Sequence, residues 1–150
     1  MSSTLVRRVG VPLAAALTLG ALAASPAQAF SSGSSITTGG VTYSVSANSC
    51  NVYLNACSYS AGASLSANRS FTHRADVKAN GINVSVSISA DPSATITGNS
   101  TTLATATESG YGRSNSVSGT ARPSIFSVSV AARSRLSSGS TSVNSGWTTW

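Results

Sequence analysis

Acid is what this 150-residue chain has least of: Asp76, Asp91 and Glu108 are its only carboxylate side chains. A glycosidase needs two carboxyls about 5–10 Å apart across a cleft, and nothing in the spacing of these three favours such a pair. Asp76 belongs to an alternating Arg74-Asp76-Lys78 row, and Asp91 sits in a turn before Pro92. Histidine is scarcer still. With one histidine, His73, and two cysteines, a zinc site lacks ligands, and no residue set points to any other cofactor. The Gly-x-Ser-x-Gly elbow is absent, so a serine hydrolase of that type lacks its local signature. Helical periodicity is missing beyond residue 29, and no tandem repeat marks a solenoid.

Long hydrophobic runs are reduced to one. Val9 to Ala24 is apolar apart from Thr18, follows Arg7-Arg8, and precedes the small residues Ala27 and Ala29. A basic start, a short apolar middle and a small-x-small end make a secretory signal peptide over residues 1–29, cut between Ala29 and Phe30. The run is shorter than the roughly 20 residues that span a bilayer, and Pro26 interrupts it, so no stable membrane span is expected. Arg outnumbers Lys eight to one, which suggests a GC-rich bacterial genome. The expectation is a secreted protein, extracellular or associated with the cell envelope.

From Phe30 onward 121 residues remain, enough for one domain. Only 22 of them are Leu, Ile, Val or Phe, close to the level at which a chain fails to fold. The high net charge of a disordered chain is absent, however, so pattern must decide. Ser and Thr fill 44 of these positions; such residues compete with helical backbone bonds, and Thr favours strands. Seven basic residues beyond position 29 are scattered without a stripe, which excludes a nucleic-acid footprint and leaves a mildly positive surface.

Along the chain, the Ser/Thr/Gly segment 30–40 reads as a flexible leader to a β-rich domain over 41–150. Val41 to Ser46 alternates apolar and polar residues, as a half-buried strand does. Asn80-Gly81, between two alternating runs, predicts a tight hairpin. Its register sets Ala79 against Ile82, Val77 against Val84, Ala75 against Val86 and His73 against Ile88, with one apolar face. Further strands are expected at 94–97, 101–107, 114–118 and 124–136, the last with Phe126, Val128, Val130, Ala132 and Leu136 on its inward parity. Short strands separated by Gly, Asn and Ser turns predict an all-β, single-domain antiparallel sandwich or barrel of about 7–9 short strands once the signal peptide is removed.

Few residues carry functional promise. Cys50 and Cys57, in an exported chain, are expected to form a disulfide around Val52-Tyr53-Leu54. Trp147, Trp150 and Tyr53 offer aromatic surface for a partner, either an envelope polysaccharide or another extracellular protein. His73, on the apolar face, suits a core or rim position better than a general base. Gly81 to Ala90 and Ser124 to Ala132 contain no charge and no proline and are rich in Val and Ile, which raises self-association through strand edges as a further mode. The expected function is a non-catalytic extracellular or envelope-associated binding or structural module. A secreted inhibitor or antimicrobial factor using the Cys50–Cys57 loop is the alternative, and a small hydrolase using His73 comes third.

Overall fold

The structure, a computed structural model, describes residues 29–50 and 56–148. The expected signal peptide therefore lies outside the described residues up to position 28, as do Tyr53 and Trp150. All eight elements are strands: β1 (Ala29–Thr38), β2 (Val41–Cys50), β3 (Cys57–Gly81), β4 (Val86–Ile88), β5 (Thr95–Thr97), β6 (Leu103–Pro123), β7 (Ser127–Ser138) and β8 (Thr141–Asn144). They form one antiparallel sheet, as the alternating pattern predicted.

Two of these strands are several times the usual five or six residues: β3 has 25 and β6 has 21. Each serves both layers of a sandwich. The first half of β3 pairs with β2 and with the second half of β6, as in Tyr59↔Ser49 and Tyr59↔Gly119. Its second half pairs with β7 and with the first half of β6, as in Val77↔Ala132 and Val77↔Ala104. Between the halves the register jumps. Ser64 faces Ser114 and Arg69 faces Gly112, so four residues of β3 oppose Arg113 alone. Such an excess bends the bulged strand sharply, and the sheet folds over on itself there. We call this the corner end. At the opposite, open end the loops 82–85 and 124–126 run from one layer to the other.

The layers close over two apolar clusters. The larger one holds Ala47, Tyr59, Val77, Val86, Ile88, Val117 and Val130 among others, and half of its sixteen buried members are alanines. Small side chains let the layers approach closely, which explains how a chain with few large apolar residues forms a core. The smaller cluster, toward the corner, gathers Tyr43, Leu65, Phe71, Leu136 and Val143. One close approach requires glycine: a Cβ on Gly119 would collide with the Ser89 carbonyl oxygen. That approach lets Tyr59 Oη donate to the same oxygen at 2.8 Å and pin the exit of β4. Burial, with Asp91 nearby, pushes the Tyr59 phenol up to about 12.

Three expectations are corrected. Segment 30–40 is not a loose leader over most of its length, because β1 pairs with β2 along ten residues from Ala29↔Cys50 to Thr38↔Val41. The Asn80-Gly81 hairpin does not form. Both edges of β3 are already taken at that point, Lys78 facing Leu103 on one side and Ala131 on the other. Residues 86–88 pair instead with β6 in the opposite layer. Ala75, Val77 and Ala79 still share a core with Val84, Val86 and Ile88, but across the sandwich rather than along a ladder. Alternation identified the faces correctly and the partners wrongly. Finally, the break expected between strands 101–107 and 114–118 is not a turn: residues 109–112 are the bend of the continuous β6.

The outer edge of β4 is covered by the chain itself. Asn99 Oδ1 accepts the Ile88 N–H at 2.6 Å, while the Val86 N–H donates to the Thr101 carbonyl at 2.7 Å. Capping an edge in this way discourages strand addition by another molecule, so Gly81 to Ala90 is poorly placed for cross-β pairing.

Candidate functional site

Polar side chains inside so small a core need partners, and three groups of them organise the molecule. The first surrounds His73, which has no exposed surface. Its Nδ1 lies 2.6 Å from Asn115 Oδ1, and its Nε2 lies 2.8 Å from Ser134 Oγ. An amide oxygen only accepts, so in the neutral ring Nδ1 carries the proton and Nε2 accepts from Ser134. That single hydroxyl proton is shared between His73 Nε2 and the Gly62 carbonyl oxygen, 3.0 Å from Ser134 Oγ, and ties β7 to β3 across the layers. Desolvation lowers the His73 pKa below its usual value, against opposing pulls from Asn115 and the Glu108 charge. Serine, imidazole and an orienting side chain stand in the order of a nucleophile relay. Yet Ser134 is as fully enclosed as His73, so no substrate carbonyl reaches its Oγ in this conformation. The trio works as an internal strut.

The second group centres on Asp76. The alternating row predicted a surface residue here, but Asp76 is completely buried. Arg133 Nε and Nη2 donate to its Oδ2 at 3.0 and 2.8 Å, and Arg135 Nη2 and Thr105 Oγ1 donate to Oδ1, each at 2.9 Å. Arg135 Nε lies 2.7 Å from Oδ2 without an aligned hydrogen bond. Arg133 and Arg135 come from the neighbouring strand, directly beside and diagonal to Asp76. Their stems fold over it, an arrangement that a single-strand pattern does not contain.

The third group holds the C-terminal segment. Residues 145–148 continue along β7 by alternating backbone and hydroxyl bonds: Ser134 N donates to Ser145 Oγ at 3.0 Å, and Ala132 N donates to Thr148 Oγ1 at 2.8 Å. Thr148 Oγ1 in turn meets Ser49 Oγ at 2.6 Å from the other layer. This anchoring sets Trp147 at the surface, half-buried. The Arg133 guanidinium carbon and the Lys78 ammonium each lie 4.5 Å from its ring centroid. Cations at that distance are held by the ring's electron density. Asp76, Arg133, Trp147 and Lys78 thus form one continuous stack from core to surface. Beside it lies a pocket of about 340 Å³ whose walls include Phe30, Lys78, Val128 and Trp147.

Next to that pocket the molecule does something its sequence pattern does not predict. Asn80 faces Ser129 and Gly81 faces Ser127, so Val128 is an extra residue in β7. This bulge reverses the parity at the start of the strand. Phe126 and Val128, expected inside, are 67% and 56% exposed, and Ile125 and Ile82 are 72% and 83% exposed. Gly81 permits the geometry, with φ of +149° and a built Cβ only 2.7 Å from the Phe126 carbonyl oxygen. Ile82, Phe126 and Val128 line an apolar hollow of about 450 Å³. Val128 also lines the tryptophan pocket, so the two are one surface. Bulges commonly re-aim side chains beside functional sites, and a local pattern overridden by tertiary structure often marks function.

Of the residues predicted from sequence, Trp147 is brought to this open end, with Phe30 on the same pocket wall. Trp150 and Tyr53 lie outside the described residues, as does the Cys50 side chain. Cys57 is buried, and no free cysteine occurs among the described residues. Cys50 faces Ala29, and Cys57 faces Ala121, two positions before Pro123, so both cysteines flanking residues 51–55 leave the sheet at the open end. Ile82, Phe126 and Val128 were missed, because alternation alone counts them as core; Ile125, on the outward parity, was not singled out. Among the described residues no three His, Cys, Asp or Glu side chains converge as metal ligands, and no helix is long and apolar enough to cross a membrane. No family model, curated protein or solved structure matches the chain.

Proposed function

We propose that this chain is an exported, non-catalytic binding module that holds its partner at the open end. The observation that carries the reading is the exposed apolar surface of the open end, where the Val128 bulge turns Phe126 and Val128 into water alongside Ile82 and Ile125, near a cation-flanked tryptophan. Leaving that much apolar surface hydrated is unfavourable unless something covers it, and contiguous exposed patches mark interaction sites. Export rests on the sequence of residues 1–29. The enclosure of His73 and Ser134 supports a structural role for the one relay-like trio.

Binding of the purified protein to isolated cell envelopes, measured by co-sedimentation, tests the reading. Replacing Ile82 and Phe126 together by Ser is expected to abolish most of the bound fraction while leaving the unfolding midpoint nearly unchanged. Retained binding by that variant overturns the assignment of the surface.

A second reading is favoured by the position of Cys50 and Cys57 at the same end. A disulfide between them closes a short loop and contributes about 2–3 kcal/mol on the chain-entropy model. It presents Val52, Tyr53 and Leu54 as an inhibitory or antimicrobial loop. Loss of protease inhibition or killing on changing these three residues, with envelope binding intact, would distinguish it.

A further inference from the structure

The chemistry around the open end narrows what covers it. Ile82 and Phe126 project from separate loops with more than half of their surface in water. Two loops ending in large apolar side chains can enter a lipid interface together without unfolding any strand. Trp147 stands behind them, and indole rings favour the boundary between headgroups and hydrocarbon. The charges are of one sign. Lys78 lies three residues before Gly81 and touches Trp147, and exposed Arg122 lies three residues before Ile125. No acid occurs between Val77 and Ala90, nor anywhere after Glu108. Asp76 is enclosed by two arginines, and Asp91 binds the Ser118 N–H, five residues back along β6 from Pro123, roughly 17 Å at strand rise. An acidic protein partner would satisfy the cations but leave the apolar tips unexplained, and a sugar chain would leave both unmet.

We infer that the open end docks on the surface of an anionic phospholipid bilayer, with Ile82 and Phe126 entering the interface and Lys78 and Arg122 meeting the phosphates. This inference deepens the binding reading above and rests on it. No helix or strand crosses the membrane in this mode; the strands stay outside and only the loop tips enter. Attachment is reversible, because a small apolar contact joined to a few cations gives modest affinity.

Sedimentation of the purified protein with phosphatidylglycerol vesicles, and separately with phosphatidylcholine vesicles, provides the test. The expected result is binding to the first only, with a blue shift of tryptophan emission and weakening as salt rises. Replacing Ile82 and Phe126 by Ser should reduce partitioning at least about tenfold. Alanine at Lys78 or Arg122 should each reduce it roughly fivefold. Tyr111→Ser, at the corner end, should bind as the parent does, and circular dichroism checks that every variant retains its strands. Absence of binding to phosphatidylglycerol overturns the inference. So does binding that the cation variants abolish and the Ile82/Phe126 variant leaves intact, because attraction alone then accounts for it. If the Ile82/Phe126 variant loses cell-envelope binding while neither vesicle is bound, the surface stands and its occupant is a protein. If neither vesicles nor envelopes are bound, both readings fall together.

Discussion

Phe71 and Phe126 lie on opposite ends of one sandwich and meet opposite fates. Phe71, near the corner, is buried with Leu65, Leu136 and Val143, its ring edge 3.2 Å from where a Cβ of Gly110 would stand. Phe126, at the open end, has two-thirds of its surface in water. Both belong to runs whose parity points them inward. The difference lies in how each end is closed. At the corner the sheet is continuous through the bends of β3 and β6, so side chains on its concave face have nowhere to go but inside. At the open end loops run between the layers, and one extra residue in β7 is enough to turn a pair of apolar side chains outward. The corner end is also dressed in hydroxyls, glycine and Tyr111 around a mixed polar and apolar hollow of about 560 Å³, and the open end in large apolar tips.

The contrast predicts a graded set of effects. Largest is Phe71→Ala, expected to destabilise by about 3–5 kcal/mol in urea unfolding because it removes a ring and leaves a cavity; a loss comparable to that of a surface residue would break the comparison. Asp76→Ala should follow at about 3 kcal/mol, since it strands two arginines packed over the vacated site. Because Arg133 stacks on Trp147, the same variant should alter the tryptophan emission, coupling the core ion pair to the open end. Gly81→Ala should cost about 1–3 kcal/mol through the strained φ and the crowded Phe126 carbonyl. Hydrogen exchange should then show faster opening around residues 126–129 than near the corner.

A pH effect comes next. The folded state holds His73 below the usual pKa of 6.5, so the unfolded chain binds a proton more readily. Its contribution to stability is complete above about pH 6.5 and is lost as pH falls from there through the folded pKa. Thermal melts from pH 8 to 5 should record this decline, and His73→Gln should flatten it. Smallest is Phe126→Ala, expected within about 0.5 kcal/mol of the parent, as for exposed positions away from special geometry. A large loss there would mean that the open end is part of the core rather than a contact surface.

Much of the fold was legible in the residues, and the reasons it stopped being legible are specific. Phe71, His73, Ala75, Val77 and Ala79 alternate with polar residues and all face the core. The neighbours of Val77 are Ala104 and Ala132 rather than Val84, however, because longer strands elsewhere in the chain competed for both of its edges. Of the candidate site, Trp147 was legible as a large aromatic able to serve either a core or a binding surface, and the structure leaves it half-buried. Its cations were not, since Lys78 and Arg133 come from different strands that no local pattern relates. Asp76 was misjudged for the same reason: its own strand places it outward, and side chains of β7 bury it.

Composition and two-residue alternation are local properties, and they alone determined that this chain is all β, antiparallel and closed around a thin apolar face. Which strands pair, where β3 and β6 bend, and which apolar side chains escape the core were decided only by tertiary structure. Those choices depend on competition between distant segments for the same backbone edges and the same enclosed volume, and a one-residue bulge changes the outcome without changing the pattern.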